Sequence, residues 1–214
     1  MIRALDFLPA MLDGAKTTIG LFLVTALISI PIGFIIAVIR FYGGKIVKSI
    51  IGFYILVMRG TPLLLQIIFV FFGLPMMGIV LERLPSAIIA FAVNYAAYMA
   101  EIFRGGIESI DKGQFENAKI LGFNKIQTFR FIIMPQVMKR VLPSIGNEMM
   151  ALIKDTSLVY VIGLGEILRA AKNATNMMAS VAPMVLAAGL YLVLIGILTI
   201  VMKLWEKKYA YYKN

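Results

Sequence analysis

The chain has 214 residues, 61% of them hydrophobic and only 15% charged, whereas a soluble domain is nearer half apolar and about a quarter charged. A net charge of +10 would suit nucleic acid, but the basic residues collect at the ends of apolar runs instead of interleaving with aromatics, so no nucleic-acid partner is expected. With no cysteine and no histidine in the sequence, disulfides, thiolate or imidazole zinc sites and histidine-based triads are excluded, and neither metal nor cofactor is expected.

Met1–Lys16 places Leu5, Leu8, Met11 and Leu12 on one helical face, which predicts a short helix lying on a membrane surface. No cleavable leader is expected, because both charges occur in these residues and the run that follows is too long for a signal core. Crossing a bilayer as helix takes roughly 20 apolar residues, and the uncharged run Thr17–Ile39, closed by Arg40, predicts a first span at about 17–40. A second, at about 50–74, is interrupted by Arg59-Gly60-Thr61-Pro62. Pro62 removes a backbone donor there, and in lipid the freed groups must be satisfied by protein or water. A third, at about 86–103, carries Asn94, Tyr98 and Glu101 at one-face spacing, with Glu101 placed to pair with Arg104.

Residues 104–140 carry a charge every few positions, which predicts short helices outside the membrane. A fourth span follows at about 141–165 despite Glu148, Lys154 and Asp155. Glu166–Ala182 has the pattern of a short amphipathic helix, and an uncharged run at about 183–202 closes the set. The prediction is all-α: one polytopic membrane domain over 1–214 with five transmembrane helices.

Five spans put the termini on opposite sides, and basic residues choose the orientation. With the carboxyl end inside, the cytoplasmic pieces hold Arg40, Lys45, Lys48, Arg104, Lys112, Lys119, Lys125, Arg130, Lys139, Arg140, Lys203, Lys207, Lys208 and Lys213. The outer pieces hold Arg3, Lys16, Arg83, Arg169 and Lys172, a bias of fourteen to five. This predicts a multi-pass membrane protein with a cytoplasmic carboxyl end and a cytoplasmic 104–140 segment. Arg59 is expected to snorkel to the same side.

An ionised side chain at the bilayer centre costs about 2.5–3.5 kcal/mol on insertion scales, so intramembrane charges are functional candidates. Glu148 and Asp155 lie seven apart, two helical turns on nearly one face. Two carboxylates lining a cavity suit the ammonium groups of an amino acid, and Asn94 and Tyr98 could line the same cavity. Lys154, about 100° around the helix from Asp155, cannot share that face. The structural alternatives stand beside this: helix-to-helix hydrogen bonds for Asn94 and Tyr98, Lys154 and Asp155 pairing with neighbouring helices, and Glu148 near the cytosolic end of its span.

The stretch from Gly113 through Gln114-Phe115-Glu116-Asn117-Ala118-Lys119-Ile120-Leu121 to Gly122, continuing to Ile132-Ile133-Met134-Pro135, predicts helix, glycine stop, helix and a proline leading into the fourth span. It resembles the cytoplasmic coupling loop of bacterial ATP-binding-cassette importer permeases: Glu-Ala-Ala, three residues, Gly, nine residues, Ile-x-Leu-Pro. Glu116, Ala118, Gly122, Ile132 and Pro135 match at that spacing, with Asn117 and Met134 as mild departures. Arg59-Gly60-Thr61-Pro62, the run from Ala100 to Ile107, Pro135-Gln136 and Lys154-Asp155-Thr156-Ser157-Leu158 resemble the polar-amino-acid branch.

That resemblance implies a type I importer permease fold in the plasma (inner) membrane of a prokaryote. It also implies cytoplasmic ATPase subunits gripping Gly113, Glu116, Ala118, Lys119 and Gly122, an extracellular or periplasmic substrate-binding protein, and a second permease copy or paralogue in surrounding lipid. Substrate would bind near the fourth span, a cationic amino acid by preference, with glutamine or cystine open. Glu166, Arg169, Lys172 and Asn173 are then candidates for contacting the binding protein. No phosphate-cradling Gly-x4-Gly-Lys-Ser/Thr loop is present, so any ATP is hydrolysed by a partner and the chain itself is not expected to be an enzyme. An ion-driven transporter working alone is the alternative; transport without an ATPase would reveal it.

Overall fold

The computed structural model describes residues 4–209; Arg3 and Lys213, counted in the charge bias, lie outside them. A single turn at Ala4–Phe7 leads into α1, Leu8–Tyr42. It is followed by α2, Lys45–Gly60, and α3, Leu63–Ile68, whose helix continues irregularly through a π turn and a 3-10 turn to Met77. Next come α4, Arg83–Glu108; α5, Lys112–Ile120; α6, Lys125–Gln127; α7, Met134–Asp155; α8, Ile167–Met178; and α9, Ala182–Tyr209.

The expected surface helix is not a separate element. No breaker stands between Lys16 and Thr17, so Leu8–Lys16 form the first turns of α1. Met11 is fully buried while Leu5 and Leu12 are exposed, so they do not present one common apolar face.

Three described helices are long and apolar enough to cross a bilayer: Ala4–Tyr42, Arg83–Glu108 and Ala182–Lys208. The pair Lys45–Gly60 and Leu63–Met77, bent by 100° at the expected break, would make a fourth. The remaining expected span, the fourth in chain order at about 141–165, falls on α7 and the 3-10 turn after it, Thr156–Ile162. α7 has the length but carries Lys139, Arg140, Glu148, Lys154 and Asp155, so composition alone does not qualify it.

α4 is the axis of the assembly. In its apolar stretch 67% of residues are buried, against 6% in α9, so α9 is peripheral. α1 runs along α4, α7 packs between α4 and α9, and α8 bridges α1 and α9. Lipid tails give no hydrophobic drive between helices, so close approach has to come from small side chains. α1 turns Gly14, Thr18, Thr25, Ser29, Gly33 and Ala37 inward; Gly14 meets the start of α8 at Glu166 and Ile167, and Gly33 meets α4 at Ala96, Met99 and Ala100. At Gly33 a Cβ would stand 2.3 Å from the Met99 Cβ and 2.8 Å from the Ala96 carbonyl oxygen, so only glycine permits this crossing.

Between the end of α4 and the start of α7, the 104–140 segment holds α5 and α6, with residues 121–124 as the joint between them. Asp111 caps α5 by accepting from the Gly113 N–H. The far end closes with Phe123 N–H on the Ala118 carbonyl and Gly122 N–H on that of Lys119, a Schellman arrangement, which needs the left-handed φ of +82° at Gly122. Asn124 and Gln127 then form a reciprocal capping box that starts α6. Ala118 is buried and Phe115 stacks on Phe41 of α1, while Glu116, Lys119, Ile120, Leu121 and Ile126 are exposed. The result is a knob fastened to α1 on one side and open, partly apolar, on the other.

Candidate functional site

Where the chain turns at Arg59-Gly60-Thr61-Pro62, the broken helix exposes a cavity of about 590 Å³ against α4 and α7. Arg59, Asn94, Tyr95, Tyr98, Glu148 and Asp155 supply its polar wall, and Pro62, Leu63, Leu64 and Leu158 part of the apolar one. All four sequence-selected residues, Asn94, Tyr98, Glu148 and Asp155, therefore face one space.

The two carboxylates reach it because α7 stays helical through Asp155, which keeps positions seven apart on one side. Lys154 is turned out and exposed. Asp155 accepts a 2.7 Å hydrogen bond from the Tyr95 hydroxyl, and Tyr95 itself is 2% exposed, so one Asp155 oxygen is fixed by α4. Tyr98 is partly buried, and the Arg59 guanidinium lies 5.1 Å from its ring centroid, a cation–π contact. Asn94, 3% exposed, has both amide hydrogens engaged within the protein, on the Met58 carbonyl at 2.8 Å and on Gln66 Oε1 at 3.0 Å.

Arg59, Tyr95 and Gln66 were not selected from sequence. Arg59, exposed, lines the cavity beside the 100° bend. The Arg59-Gly60-Thr61-Pro62 interruption was the available signal, since a cation beside a break in an apolar run has somewhere other than the interface to go. Tyr95 and Gln66 carried no such mark.

Near the carboxyl end of α4, Glu101 pairs with Arg104 as expected and also with Arg40 of α1 at 3.0 Å, while Arg104 also holds Glu108. This cluster ties α1 and α4 together just above the knob.

Glu166 is corrected. It is wholly buried and caps α8 through the Leu168 and Arg169 N–H groups at 2.6 Å each, with Tyr191 of α9 donating at 3.0 Å. Burial pushes its carboxyl up from the usual range, and the two backbone N–H groups pull the other way. A buried cap cannot meet a docking protein. Lys172, over the Tyr160 ring, and Asn173 remain exposed on that helix.

Residues 29–211 match the family described as binding-protein-dependent transport system inner membrane component. The chain belongs to that family. It is 36% identical over 203 residues to the arginine transport system permease protein ArtQ of Bacillus subtilis (strain 168), with 94% of this chain and 93% of that protein covered. Over 164 residues it is 36% identical to the glutamine transport system permease protein GlnP of Escherichia coli (strain K12), covering 76% and 75%. A crystal structure of an amino acid ABC transporter with histidines superposes at a TM-score of 0.88 and 31% identity, over 97% of this chain and 99% of that one. The MetNI methionine ABC transporter in inward-facing form, at 14% identity and a TM-score of 0.79, shares the fold. This inner membrane component is thus the permease subunit of an ATP-binding-cassette importer, and ATP hydrolysis belongs to a separate subunit.

Proposed function

We propose that the importer carries a polar amino acid, preferably a cationic one, and that the cavity beside the α2–α3 break is its site within the membrane. The observation that carries this is the pairing of one cation with two carboxylates in one cavity. The Arg59 guanidinium suits an α-carboxylate, because its planar fork matches two oxygens. Glu148 and Asp155 suit the α-ammonium and a second positive group further along the substrate. With all three ionised the site is one negative charge in excess; arginine or lysine neutralises it, and glutamine does not. The names of similar proteins support the amino-acid class: arginine for one, glutamine for another, histidine in the solved complex.

In this reading α7 is also a span, the fourth of five in chain order, its polar face covered by α4 and the pathway. Cytoplasmic ATPase subunits seat on the exposed face around Glu116, Lys119, Ile120 and Leu121, with Gly113, Ala118 and Gly122 shaping the helix that presents it. A binding protein delivers substrate from outside, and a second permease copy or paralogue completes the path. Closure of the ATPases moves the knobs, and α1, α4 and α7 rock about the midplane site. The carboxyl end lies in the cytoplasm, as the fourteen-to-five bias supports. A single cysteine placed at Lys119 should react with impermeant maleimide only in inside-out vesicles; labelling in right-side-out vesicles would reverse the orientation.

The site is tested in proteoliposomes holding permease, ATPase and binding protein. Glu148→Gln and Asp155→Asn should each cut ATP-driven arginine uptake at least about tenfold, the loss of one charged hydrogen bond, with the complex still assembled. Wild-type uptake by both variants would refute the assignment.

A further inference from the structure

In an unbroken helix the residue-62 N–H would donate to the Met58 carbonyl, four residues back. Pro62 has no N–H, and an unsatisfied carbonyl at membrane depth costs several kcal/mol. The Met58 oxygen instead accepts from Asn94 Nδ2 of α4 at 2.8 Å and from Gln66 Nε2 of α3 at 3.0 Å. The second Asn94 hydrogen goes to Gln66 Oε1 at 3.0 Å. Gln66 also donates to the Thr61 hydroxyl at 2.8 Å, and that hydroxyl donates to the Val57 carbonyl at 2.8 Å. Every amide hydrogen of the pair is thus spent on the break or on the partner amide. The Arg59 guanidinium, one residue beyond Met58, rests on Tyr98, one turn along α4 from Asn94.

We infer that Gln66 and Asn94 are positioning residues: a clasp that stands in for the hydrogen bond Pro62 cannot make, keeps the α2–α3 break bent, and so holds Arg59 in the cavity. This explains why Asn94 faces the cavity with its donors already taken; a ligand that captured them would reopen the Met58 carbonyl. The consequence for transport rests on the proposed reading of the cavity, in which Arg59 receives the substrate carboxylate.

The test uses the purified permease–ATPase complex and two probes, arginine and agmatine, which is arginine without its carboxylate. Arg59→Gln should abolish the preference for arginine over agmatine. Gln66→Met and Asn94→Leu, close in volume and lacking the amide, should do likewise, weakening arginine about tenfold (about 1.4 kcal/mol) and leaving agmatine within about twofold. Preference lost in Arg59→Gln but intact in both clasp variants overturns the inference and leaves the site standing. Preference intact in Arg59→Gln overturns the carboxylate assignment, and with it the clasp's role in binding. Thermal unfolding judges the clasp itself. Pro62→Ala restores the missing N–H, so Asn94→Leu or Gln66→Met should lower the melting temperature less than half as much when combined with Pro62→Ala. An equal drop with and without Pro62→Ala overturns the clasp.

Discussion

Asp155 ends α7 and begins the tighter 3-10 turn, and the Tyr95 hydroxyl fixes which way its carboxylate points. Tyr95→Phe removes that oxygen and nothing else. It should weaken arginine binding about five- to tenfold, in line with one hydrogen bond to a charged group, while yield and assembly of the complex stay at wild type; equilibrium binding beside size-exclusion profiles checks both. Glu148 and Asp155 were legible in the sequence because two acidic residues seven apart in an apolar run have one arrangement on a helix. Arg59 was not, since a cation in such a run has two outlets, the interface and a cavity, and only the bend chooses. Glu166 misled for a related reason: a cap turned into the protein and an acid turned to solvent occupy the same place in an amphipathic pattern, and burial decides.

At the scale of elements, the uncharged runs predicted α1 and α9, and Arg59-Gly60-Thr61-Pro62 predicted the break, because proline chemistry is local. What periodicity could not supply was the angle of the bend, set by α4 through Asn94 and Gln66. Nor could it foresee that Leu8–Lys16 would be the first turns of α1, a matter of packing of this end of the helix and the Ala4–Phe7 turn against α8 and α9. The knob was legible in outline from its glycine and proline, and the Schellman closure explains the glycine. At φ +82° a residue with a Cβ costs about 1–2 kcal/mol. Gly122→Ala should therefore loosen the α5–α6 joint and lower substrate-stimulated ATP hydrolysis several-fold, with arginine affinity of the cavity unchanged. Measuring both on one preparation separates coupling from binding.

The whole molecule is a bundle around α4 whose two features of interest stand on one scaffold: a charged cavity beside a broken helix, and below it a knob locked to α1 and α4. Between them sit Arg40, Glu101, Arg104 and Glu108, whose ion pairs join α1 to α4, and α4 also walls the cavity; in the proposed mechanism this is the route by which movement of the knob would reach it. Membership of the importer family and the permease role follow from the match over residues 29–211. The substrate site is the claim most exposed to experiment. Equilibrium dialysis of labelled arginine against the permease–ATPase complex, free of binding protein, addresses it directly. The account predicts one saturable site per permease, lost in Arg59→Gln and in Asp155→Asn; saturable binding that both variants retain, or none in the wild type, would contradict it.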